Sequence, residues 1–512
     1  MPTEILVPSI DYGALSPMLI VFSAAVIAVL VEAFAPAARR RGLQVITCVV
    51  GLVAAFVAVV LLAGTETLTI ADAIAVDGPT LFLQGTLVVL GLAGILLISE
   101  QSLDSSGGAV VASAATLPGS RDDVALAEST SVQTEVYPLA LFSLGGMMMF
   151  PASNDLITLF IALEVLSLPL YLMAGLARRR RLLSQEAAVK YFLLGSFSSA
   201  FFLYGIALLY GYAAGTRLGD IRAATAVAGN NELLLFLGLG MLSVGLLFKV
   251  GAVPFQAWTP DVYQGSPTPV TALMAACTKI AAFGALLRVL YVAFGGTQWD
   301  WRPVFWAVAI ATMVIGAVLA VTQTDVKRML AYSSVAHTGF ILVGVIALGD
   351  KGLSSTLFYL LAYGFTTLAA FAIVTLVRDA SGEATHLSQW AGLGRKSPLV
   401  AGTFAFLLFA LAGIPLTSGF MAKFAVFTAG IEGGAIPLVV VGVVTSAVTA
   451  FFYARVVVLM FFTDPAPGGP TVAVPSGYTA GAVALGLAVT VVLGVLPQPA
   501  LDLAEQAGVF VR

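Results

Sequence analysis

Apolar segments of about the length of a membrane crossing recur along the whole chain, and they constrain its fold more than any other feature. A helix needs about 20 mostly apolar residues to cross the hydrocarbon core of a bilayer. The chain is 59% hydrophobic and only 10% charged, whereas soluble domains carry about 25% charged residues. The sequence therefore predicts an all-α polytopic membrane protein with about 14 transmembrane helices. The predicted segments are 14–35, 43–63, 79–99, 136–152, 155–177, 187–213, 231–257, 269–296, 303–323, 329–349, 353–378, 400–428, 435–461 and 475–497.

Lysine and arginine in the loops predict the orientation, because loops on the cytoplasmic side carry more of them. With the N-terminus outside, the inner loops hold 13 of these residues and the outer loops hold 5. Both termini are therefore expected on the outer side. The first segment lacks the basic flank of a signal peptide, so we expect it to be retained as a helix. The many serine, glycine and acidic residues of segment 100–135 predict a polar, flexible loop on the inner side.

The stretch Leu246–Ile280 combines two features that are costly in a membrane. It contains Lys249 and Lys279, and a lysine at the centre of a membrane helix costs about 2.5–3.5 kcal/mol on insertion scales. It also contains Pro254, which ends or kinks a helix because proline has no N–H. A broken helix leaves backbone groups unpaired unless protein or water covers them. Together these features indicate a polar, water-accessible path inside a helix bundle, and they favour a protein that moves something small and charged.

Lysine and arginine are distributed differently between the membrane segments and the loops. Four of the seven lysines lie within predicted segments, namely Lys190, Lys249, Lys279 and Lys423, against two of the 17 arginines. A buried lysine can lose its proton, whereas arginine stays charged. Lysines in this setting can load and unload a proton. The alternative is that each lysine snorkels from a helix end to the membrane surface.

Two acidic residues and a histidine complete the candidate set. Glu164 lies near the centre of the fifth segment, either as a protonated, hydrogen-bonded core residue or, as we favour, as the ion-pair partner of Lys249. Glu186 and Lys190 stand at i and i+4, which predicts a helix ion pair. Lys190 is placed deeper in the segment and is a candidate for a further proton site. His337, in the tenth segment, is expected to be a core histidine or a relay between proton sites.

Other chemistry finds no support in the sequence. Cys48 and Cys277 show no metal-ligand spacing, and the chain has only two histidines. It contains no phosphate-binding loop, dinucleotide fingerprint or potassium-filter motif. We therefore expect no metal site, no bound cofactor and no redox centre in this chain.

Five stretches of the chain are distinctive: ALEVLSLPLY, EAAVKYFLLGSFSSAFFLYG, FKVGAVPFQAWTPDVYQGSPTPVTA, VKRMLAYSSVAHTGF and GIPLTSGFMAKF. Together they resemble the antiporter-like subunits of bacterial respiratory complex I, and the N-type subunit most of all. The resemblance covers roughly residues 136–460 and implies two inverted five-helix repeats, with broken helices at segments 7 and 12. The implied organisation is three N-terminal helices with the polar loop (1–135), a first repeat (136–300), a second repeat (301–462), and a last helix with a short tail (463–512).

The same resemblance implies a role for each candidate residue. Glu164 and Lys249 would form a pair at the inlet end of a proton path along the membrane midplane. Lys279 would be the central lysine, and Lys423 the terminal site nearer the outer exit. Lys190 matches the lysine of segment 6 in the N-type motif. Related M-type subunits carry a glutamate where Lys423 stands, and L-type subunits continue into a long lateral helix that the residues after segment 14 are too few to form.

By this resemblance the chain would be a proton-translocating subunit of NADH–quinone oxidoreductase in the bacterial cell membrane. Quinone reduction elsewhere in the complex would drive it, and its partners would be the other membrane subunits and the lipid bilayer, with no nucleic acid. NAD, FMN, iron–sulfur clusters and quinone would be held by partner subunits. Two alternatives stay open: a subunit of a multisubunit cation/proton antiporter that shares the fold, or the membrane subunit of a hydrogenase complex.

Overall fold

All fourteen predicted apolar segments are helical in the computed structural model. Among the residues that it describes, twelve helices are long and apolar enough to cross a membrane, judged by length and composition. Two shorter apolar helices, Val136–Met149 and Pro398–Ala412, fall in the fourth and twelfth predicted segments. The prediction of an all-α polytopic membrane protein is confirmed. The described residues are 9–103, 107–111, 116–117, 119–128, 133–227, 231–379, 382–465, 469 and 471–511.

Helices and two small sheets make up the described chain. A π-helical turn (Val289–Ala293) continues the eleventh helix, and two 3-10 turns lie in loops (Gly295–Thr297 and Leu387–Trp390). Strand β1 (Thr67–Thr69) pairs antiparallel with β2 (Ile74–Val76), and β3 (Val377–Asp379) pairs antiparallel with both β4 (Gly382–Glu383) and β5 (Thr471–Val472). The α-helices are α1 (Ser16–Phe34), α2 (Ala37–Leu61), α3 (Gly78–Ile98), α4 (Arg121–Glu128), α5 (Val136–Met149), α6 (Leu156–Ala174), α7 (Arg181–Ala213), α8 (Leu218–Thr225), α9 (Glu232–Val250), α10 (Trp258–Gly265), α11 (Thr268–Arg288), α12 (Gln298–Val321), α13 (Val326–Ala347), α14 (Gly349–Leu376), α15 (Leu393–Lys396), α16 (Pro398–Ala412), α17 (Ser418–Glu432), α18 (Ile436–Phe462), α19 (Gly477–Val495) and α20 (Gln498–Gln506).

Three helices form the centre of the bundle. Every residue of α11 is buried, and so is nearly every residue of α13 and α14. In contrast, α1, α7 and α19 bury one face and expose the other. A helix that is apolar all round and buried on all sides belongs to the interior of a large bundle. Polar side chains on α11, α13 and α14 are therefore separated from lipid by a shell of other helices.

Two helices are interrupted within predicted segments 7 and 12. Helix α9 ends at Val250 before the chain resumes as α10, and α16 ends at Ala412 before the chain resumes as α17. Gly251 and Gly413 follow these two ends directly, with φ of 76° and 86°. A glycine adopts this left-handed conformation without the steric cost that a Cβ would impose. Val250, the last residue of α9, stands four residues before Pro254, so the helix ends one turn earlier than the proline itself.

Part of the predicted polar loop 100–135 is held against the bundle. The Val111 N–H donates to the Leu176 carbonyl at 2.9 Å, and the Arg178 N–H donates to the Ala109 carbonyl at 2.9 Å. Helix α4 follows these contacts, so this part of the loop has regular structure of its own. The other residues of this predicted loop, 104–106, 112–115, 118 and 129–132, lie outside the described part of the chain.

Glu100 connects the loop after α3 to the beginning of α19. Its Oε2 accepts hydrogen bonds from the Ser476 N–H at 3.0 Å and from Thr479 Oγ1 at 2.8 Å, and its Oε1 accepts one from the Ser102 N–H at 2.8 Å. Burial raises the pKa of Glu100, but the hydrogen bonds from Ser476, Ser102 and Thr479 outweigh burial and lower it to about 2. The ionised form is therefore the one that the fold stabilises.

Glu100→Gln is expected to lower the free energy of unfolding by about 1.5–3 kcal/mol near neutral pH. The reason is that the substitution replaces the charged acceptor of these hydrogen bonds by a neutral amide, and hydrogen bonds to a charged group are the stronger kind. The folded-state pKa lies below the ordinary value of 4.5. The carboxylate therefore stabilises the fold fully above that value and loses this contribution as the pH falls through about 2. Thermal unfolding of wild type and variant, measured from neutral to acid pH, checks this.

The difference between the two proteins should shrink as the solution is acidified. The control is Glu232→Gln, since Glu232 is exposed at the start of α9, and it should change the unfolding temperature little at any pH. A difference for Glu100→Gln that stays constant across the whole range would show that its charge is not what stabilises this contact.

A fully buried ion pair lies at the end of α11. Arg288 Nη2 donates to Asp77 Oδ1 and to Thr80 Oγ1, both at 2.7 Å, and the Arg288 and Asp77 side chains are 0% exposed. Asp77 is also the N-cap of α3, and its Oδ2 accepts the Val511 N–H at 3.1 Å. The Phe510 ring centroid lies 4.7 Å from the guanidinium carbon. One ion pair thus joins α3, α11 and the C-terminal residues.

Candidate functional site

Lys249 is buried at the end of α9 and makes no ion pair within the described chain. Its Nζ donates to Ser167 Oγ at 2.7 Å and to the Tyr191 hydroxyl at 3.3 Å. Glu164, which we predicted to pair with Lys249, instead accepts a hydrogen bond from Ser199 Oγ at 2.5 Å. No N···O distance of 4.0 Å or less joins the described Glu164 and Lys249 side chains, so the predicted direct pair is not formed. The physical reason is that serine hydroxyls satisfy each side chain separately.

Aromatic rings enclose the Lys249 ammonium group. Its Nζ lies 5.3 Å from the ring centroid of Tyr191 and 6.0 Å from that of Tyr171. The Tyr191 ring stacks on Trp258 of α10 at 4.7 Å, and the Trp258 indole N–H donates to the Phe248 carbonyl at 2.9 Å. The face of an aromatic ring attracts a cation. The ring faces therefore attract the Lys249 ammonium group, and the stack of Tyr191 on Trp258 attaches the restarted helix α10 to this pocket.

Lys279 extends from α11 toward acceptors on α13. Its Nζ donates to the Ser334 carbonyl at 2.6 Å and to Thr338 Oγ1. Thr338 Oγ1 in turn donates to the carbonyl of Val250 at 2.8 Å. Val250 is the last residue of α9 and follows Lys249 directly. A single hydroxyl therefore separates the Lys279 ammonium from the helix end that holds Lys249.

His337 lies on α13 one residue before Thr338 and is buried. Its Nδ1 is 2.7 Å from the Tyr359 hydroxyl, and its Nε2 has no hydrogen-bond partner among the described residues. The Phe340 ring contacts the imidazole at 5.7 Å between centroids and lies 4.8 Å from Lys423 Nζ. Helix α13 thus faces Lys279 with two of its residues and approaches Lys423 with a third.

Lys423 lies on α17 and reaches back across the second helix interruption. Its Nζ donates to the carbonyls of Leu411 at 3.1 Å and Ala412 at 2.7 Å, and to Ser446 Oγ at 2.9 Å. A Cβ at Gly413 would come within 2.9 Å of the Lys423 side chain. Glycine is therefore required there both for the backbone turn and for the passage of the lysine.

Proline explains why carbonyl groups at both helix ends are free to accept these bonds. In a continuous helix the carbonyls of Val250 and Leu411 would each accept the N–H of the residue four positions on. Those positions are Pro254 and Pro415, which have no N–H to donate. A threonine hydroxyl supplies the missing donor at the first end, and a lysine ammonium supplies it at the second.

Lys190 lies outside this series. Its Nζ forms ion pairs with Glu186 at 2.5 Å and Asp261 at 2.6 Å, and its side chain is 41% exposed. The predicted i,i+4 ion pair with Glu186 is confirmed, and the role of Lys190 as a further proton site stays a prediction. Asp261 also pairs with Arg328 at 2.6 Å. This carboxylate thus joins α7, α10 and α13, which indicates a role in positioning the restarted helix.

The hydrogen-bond partners of the buried lysines could not be predicted from the sequence. The hydroxyl groups that accept from the lysines belong to Ser167, Tyr191, Thr338 and Ser446. They share only one sequence signal, a hydroxyl group within an apolar segment, and many other residues of this chain share it. Which hydroxyl faces a lysine depends on the packing of helices that are distant in sequence. No group of three His, Cys, Asp or Glu side chains in the described chain is arranged to hold a metal ion.

Three lysines share one environment inside the membrane bundle. Lys249, Lys279 and Lys423 are 3%, 3% and 5% exposed, and each is held by hydroxyls, carbonyls or aromatic rings. A hydroxyl can donate or accept a hydrogen bond. It can therefore accept from a charged lysine and donate to the same lysine after the proton has left. The arrangement is chemically suited to passing protons between successive buried sites.

Known proteins are similar to this chain in sequence and in fold. A protein-family model described as NADH:quinone oxidoreductase/Mrp antiporter, TM, matches residues 153–449. NADH-quinone oxidoreductase subunit N of Rhodococcus opacus is 62% identical over 524 residues, which cover 99% of this chain and 97% of the relative. The subunit N of Acidothermus cellulolyticus is 61% identical over 512 residues, which cover 100% of this chain and 98% of the relative.

Solved structures agree with these relatives. A chain of respiratory complex I from Thermus thermophilus with bound aureothin is 32% identical, with a TM-score of 0.77, and the match covers 96% of this chain and 99% of that one. A chain of the Mrp complex from Dietzia sp. is 23% identical over 98% of this chain and 97% of that one, with a TM-score of 0.81, and shows the fold alone.

The interrupted helices and the buried lysines define an antiporter-like membrane protein. Over almost its full length, the chain is identical to these relatives at about three residues in five. This identity defines the family within the antiporter-like class. The chain belongs to the family of NADH-quinone oxidoreductase subunit N.

Proposed function

We propose that this chain is a proton-translocating membrane subunit of NADH–quinone oxidoreductase, respiratory complex I, in the bacterial cell membrane. The observation that carries the proposal is the series Lys249, Lys279 and Lys423, buried beside two helix interruptions and held by neutral groups. A lysine charge within a membrane costs about 2.5–3.5 kcal/mol. Three such costs are best explained if each lysine takes up and releases a proton.

The chain would take no part in the redox chemistry itself. NAD, FMN, iron–sulfur clusters and quinone would be held by partner subunits, and quinone reduction there would drive the charge changes here. One charge moved against 100 mV requires about 2.3 kcal/mol, so the path must be coupled to that reaction. The proposal includes fourteen membrane helices in two inverted five-helix repeats, with both termini on the outer side.

Glu164 would act as the switch at the inlet end. It is half-buried on α6 and lies three residues before Ser167, which holds Lys249. Residues three apart on a helix share a face, so release from Ser199 would allow the carboxylate to turn toward the Lys249 pocket. A carboxylate close to Lys249 favours its charged form, and withdrawal favours release of the proton toward Lys279. His337 and Tyr359 would relay protons between Lys279 and Lys423.

Lys279→Arg is expected to abolish proton pumping by the assembled complex while leaving the complex intact in the membrane. Arginine keeps the positive charge but does not release its proton, so a role for Lys279 in proton transfer predicts that this change stops pumping. Its guanidinium also presents a fixed plane of donors where Lys279 serves two acceptors on α13. Proton uptake into membrane vesicles during NADH oxidation measures the effect.

Lys351→Arg is the matched control, since Lys351 is 68% exposed and pairs with Glu432 at 2.8 Å. It should pump like the wild type. Normal pumping by the Lys279→Arg complex would contradict a proton-transfer role for Lys279 and would leave only a requirement for charge.

A second candidate function is that of a subunit in a multisubunit cation/proton antiporter. It is favoured by the fold shared with the Mrp complex chain at a TM-score of 0.81. A membrane-bound hydrogenase complex is a third candidate of the same kind. A chain of the archaeal membrane-bound sulfane sulfur reductase, at 23% identity and a TM-score of 0.79, shows that the fold also occurs in an assembly of another type.

Gentle solubilisation of native membranes and size separation distinguish these functions. The proposal expects this chain to migrate with a large assembly that oxidises NADH and reduces quinone. Migration in an assembly without that activity, but with sodium-dependent proton exchange, would favour the antiporter. Migration with a hydrogen-evolving assembly would favour the third candidate.

A further inference from the structure

An apolar groove opens at one end of the bundle, beside the last helix of the described chain. It lies between the end of α2, the first half of α3, α14 and α20, and its volume is about 510 Å³. Its walls include Phe56, Val60, Phe82, Val89, Leu361 and Leu503. We call it the α2/α3 groove. Clefts of about 300–1,000 Å³ are large enough to bury a molecule of drug size, and this one is separate from the lysine series.

The depth of the α2/α3 groove matches one leaflet of a bilayer. Its lining on α3 runs from Gly78 to Val89, which is about 16 Å along a helix that rises 1.5 Å per residue. Half of a hydrocarbon core about 30 Å thick is about 15 Å. Val60 is 56% exposed and Phe56 40% exposed, so the groove opens sideways to the hydrocarbon as well as upward to the surface. An acyl chain parallel to the helices has both the length and the access to fill it.

The mouth of the α2/α3 groove selects among headgroups. Glu66 and Gln506 are exposed at the mouth, and none of the residues that line the groove is lysine or arginine. Glu66 makes no hydrogen bond or ion pair with the described residues. An unpaired carboxylate at the mouth repels an anionic headgroup and attracts an ammonium group. The charge of the rim therefore favours a zwitterionic lipid with a primary amine.

We infer that the α2/α3 groove binds one acyl chain of an amine-bearing phospholipid, such as phosphatidylethanolamine, with the ammonium group at Glu66. Leu361 and Phe365 of α14 form the inner wall. The bound chain thus fills the space between the N-terminal helices and α14, the helix that also carries Tyr359. The lipid is a structural component that packs the N-terminal helices against the centre of the bundle.

The test uses the whole complex purified from native membranes. Val60→Trp places a large side chain in the groove, while Val50→Trp, at a site 61% exposed on the same helix but outside the groove, is the control. Lipids retained after detergent washing are extracted and counted by mass spectrometry. Wild type and Val50→Trp should each retain one more phosphatidylethanolamine per complex than Val60→Trp. Equal lipid content in all three would overturn the inference.

Two further arms identify the occupant. Glu66→Lys should shift the retained lipid from phosphatidylethanolamine toward phosphatidylglycerol, and an unchanged ratio would overturn the headgroup assignment. A photo-reactive p-benzoylphenylalanine in place of Val60, activated in intact membranes, should yield a lipid adduct. A cross-link to a neighbouring subunit would show that a protein helix fills the groove and would overturn the proposal.

Discussion

Lys249→Ala is expected to lower the NADH:quinone reductase rate of the assembled complex by about tenfold, which corresponds to about 1.4 kcal/mol of activation free energy. It should also lower the number of protons pumped per electron. Alanine removes the amine that Ser167 and Tyr191 hold, and it thereby separates the Glu164 end of the path from Lys279. Because proton transfer and quinone reduction are coupled, a complex that cannot move protons past Lys249 also reduces quinone more slowly. Simultaneous recording of NADH oxidation and vesicle acidification measures both quantities.

The control for this change is Lys351→Ala, which removes an exposed lysine from the same chain. Surface ion pairs contribute about 0–1 kcal/mol, so the control should retain normal rate and stoichiometry. Assembly is followed by migration of the complex on a native gel. An intact Lys249→Ala complex with the wild-type ratio of protons to electrons would remove Lys249 from the proposed path.

Asp77→Asn is expected to lower the free energy of unfolding by about 3–5 kcal/mol, the largest loss of stability that we predict for a single change. The reason is that it leaves Arg288 charged, fully buried and without its counter-ion. The same carboxylate caps α3 and accepts the Val511 N–H, so the ends of three segments loosen together. The purified complex is heated stepwise, and the temperature at which this subunit dissociates from it measures the effect.

Asp72→Asn is the matched comparison, because Asp72 pairs with Arg217 at 3.1 Å and both side chains are about half exposed. It should cost no more than about 1 kcal/mol. The double variant Asp77→Asn/Arg288→Met should regain part of the loss, since it removes the uncompensated charge. A loss for Asp77→Asn no larger than that for Asp72→Asn would mean that the buried pair is not a main source of stability here.

The membrane fold was open to prediction because its signals are local. The length of an apolar run predicts a span, and Pro254 and Pro415, each near a glycine, indicate an interrupted helix without any knowledge of neighbours. The burial of Lys249, Lys279 and Lys423 followed from their place within apolar runs, since a helix among other helices can hide a charge that lipid cannot accommodate.

The contacts within the site depend on neighbours that are distant in sequence. Glu164 and Lys249 both face the junction of α6, α7 and α9, but Ser199 and Ser167 take their hydrogen bonds. Lys190 and its partner Asp261 are 71 residues apart, and the i,i+4 pattern reveals only the pair with Glu186. Asp77 and Arg288 are 211 residues apart, and no local pattern connects them. Packing of the helices decides all of these contacts.

The second helix interruption makes a proline and a lysine dependent on each other. Pro415 leaves the Leu411 carbonyl without an N–H, and Lys423 is the group that uses it. A lysine transplanted into a continuous helix would find every carbonyl already occupied, and an interruption without the lysine would leave buried acceptors unsatisfied. Pro415 and Lys423 therefore function only as a pair. A designed protein that copies this site must include both the interrupted helix and the lysine.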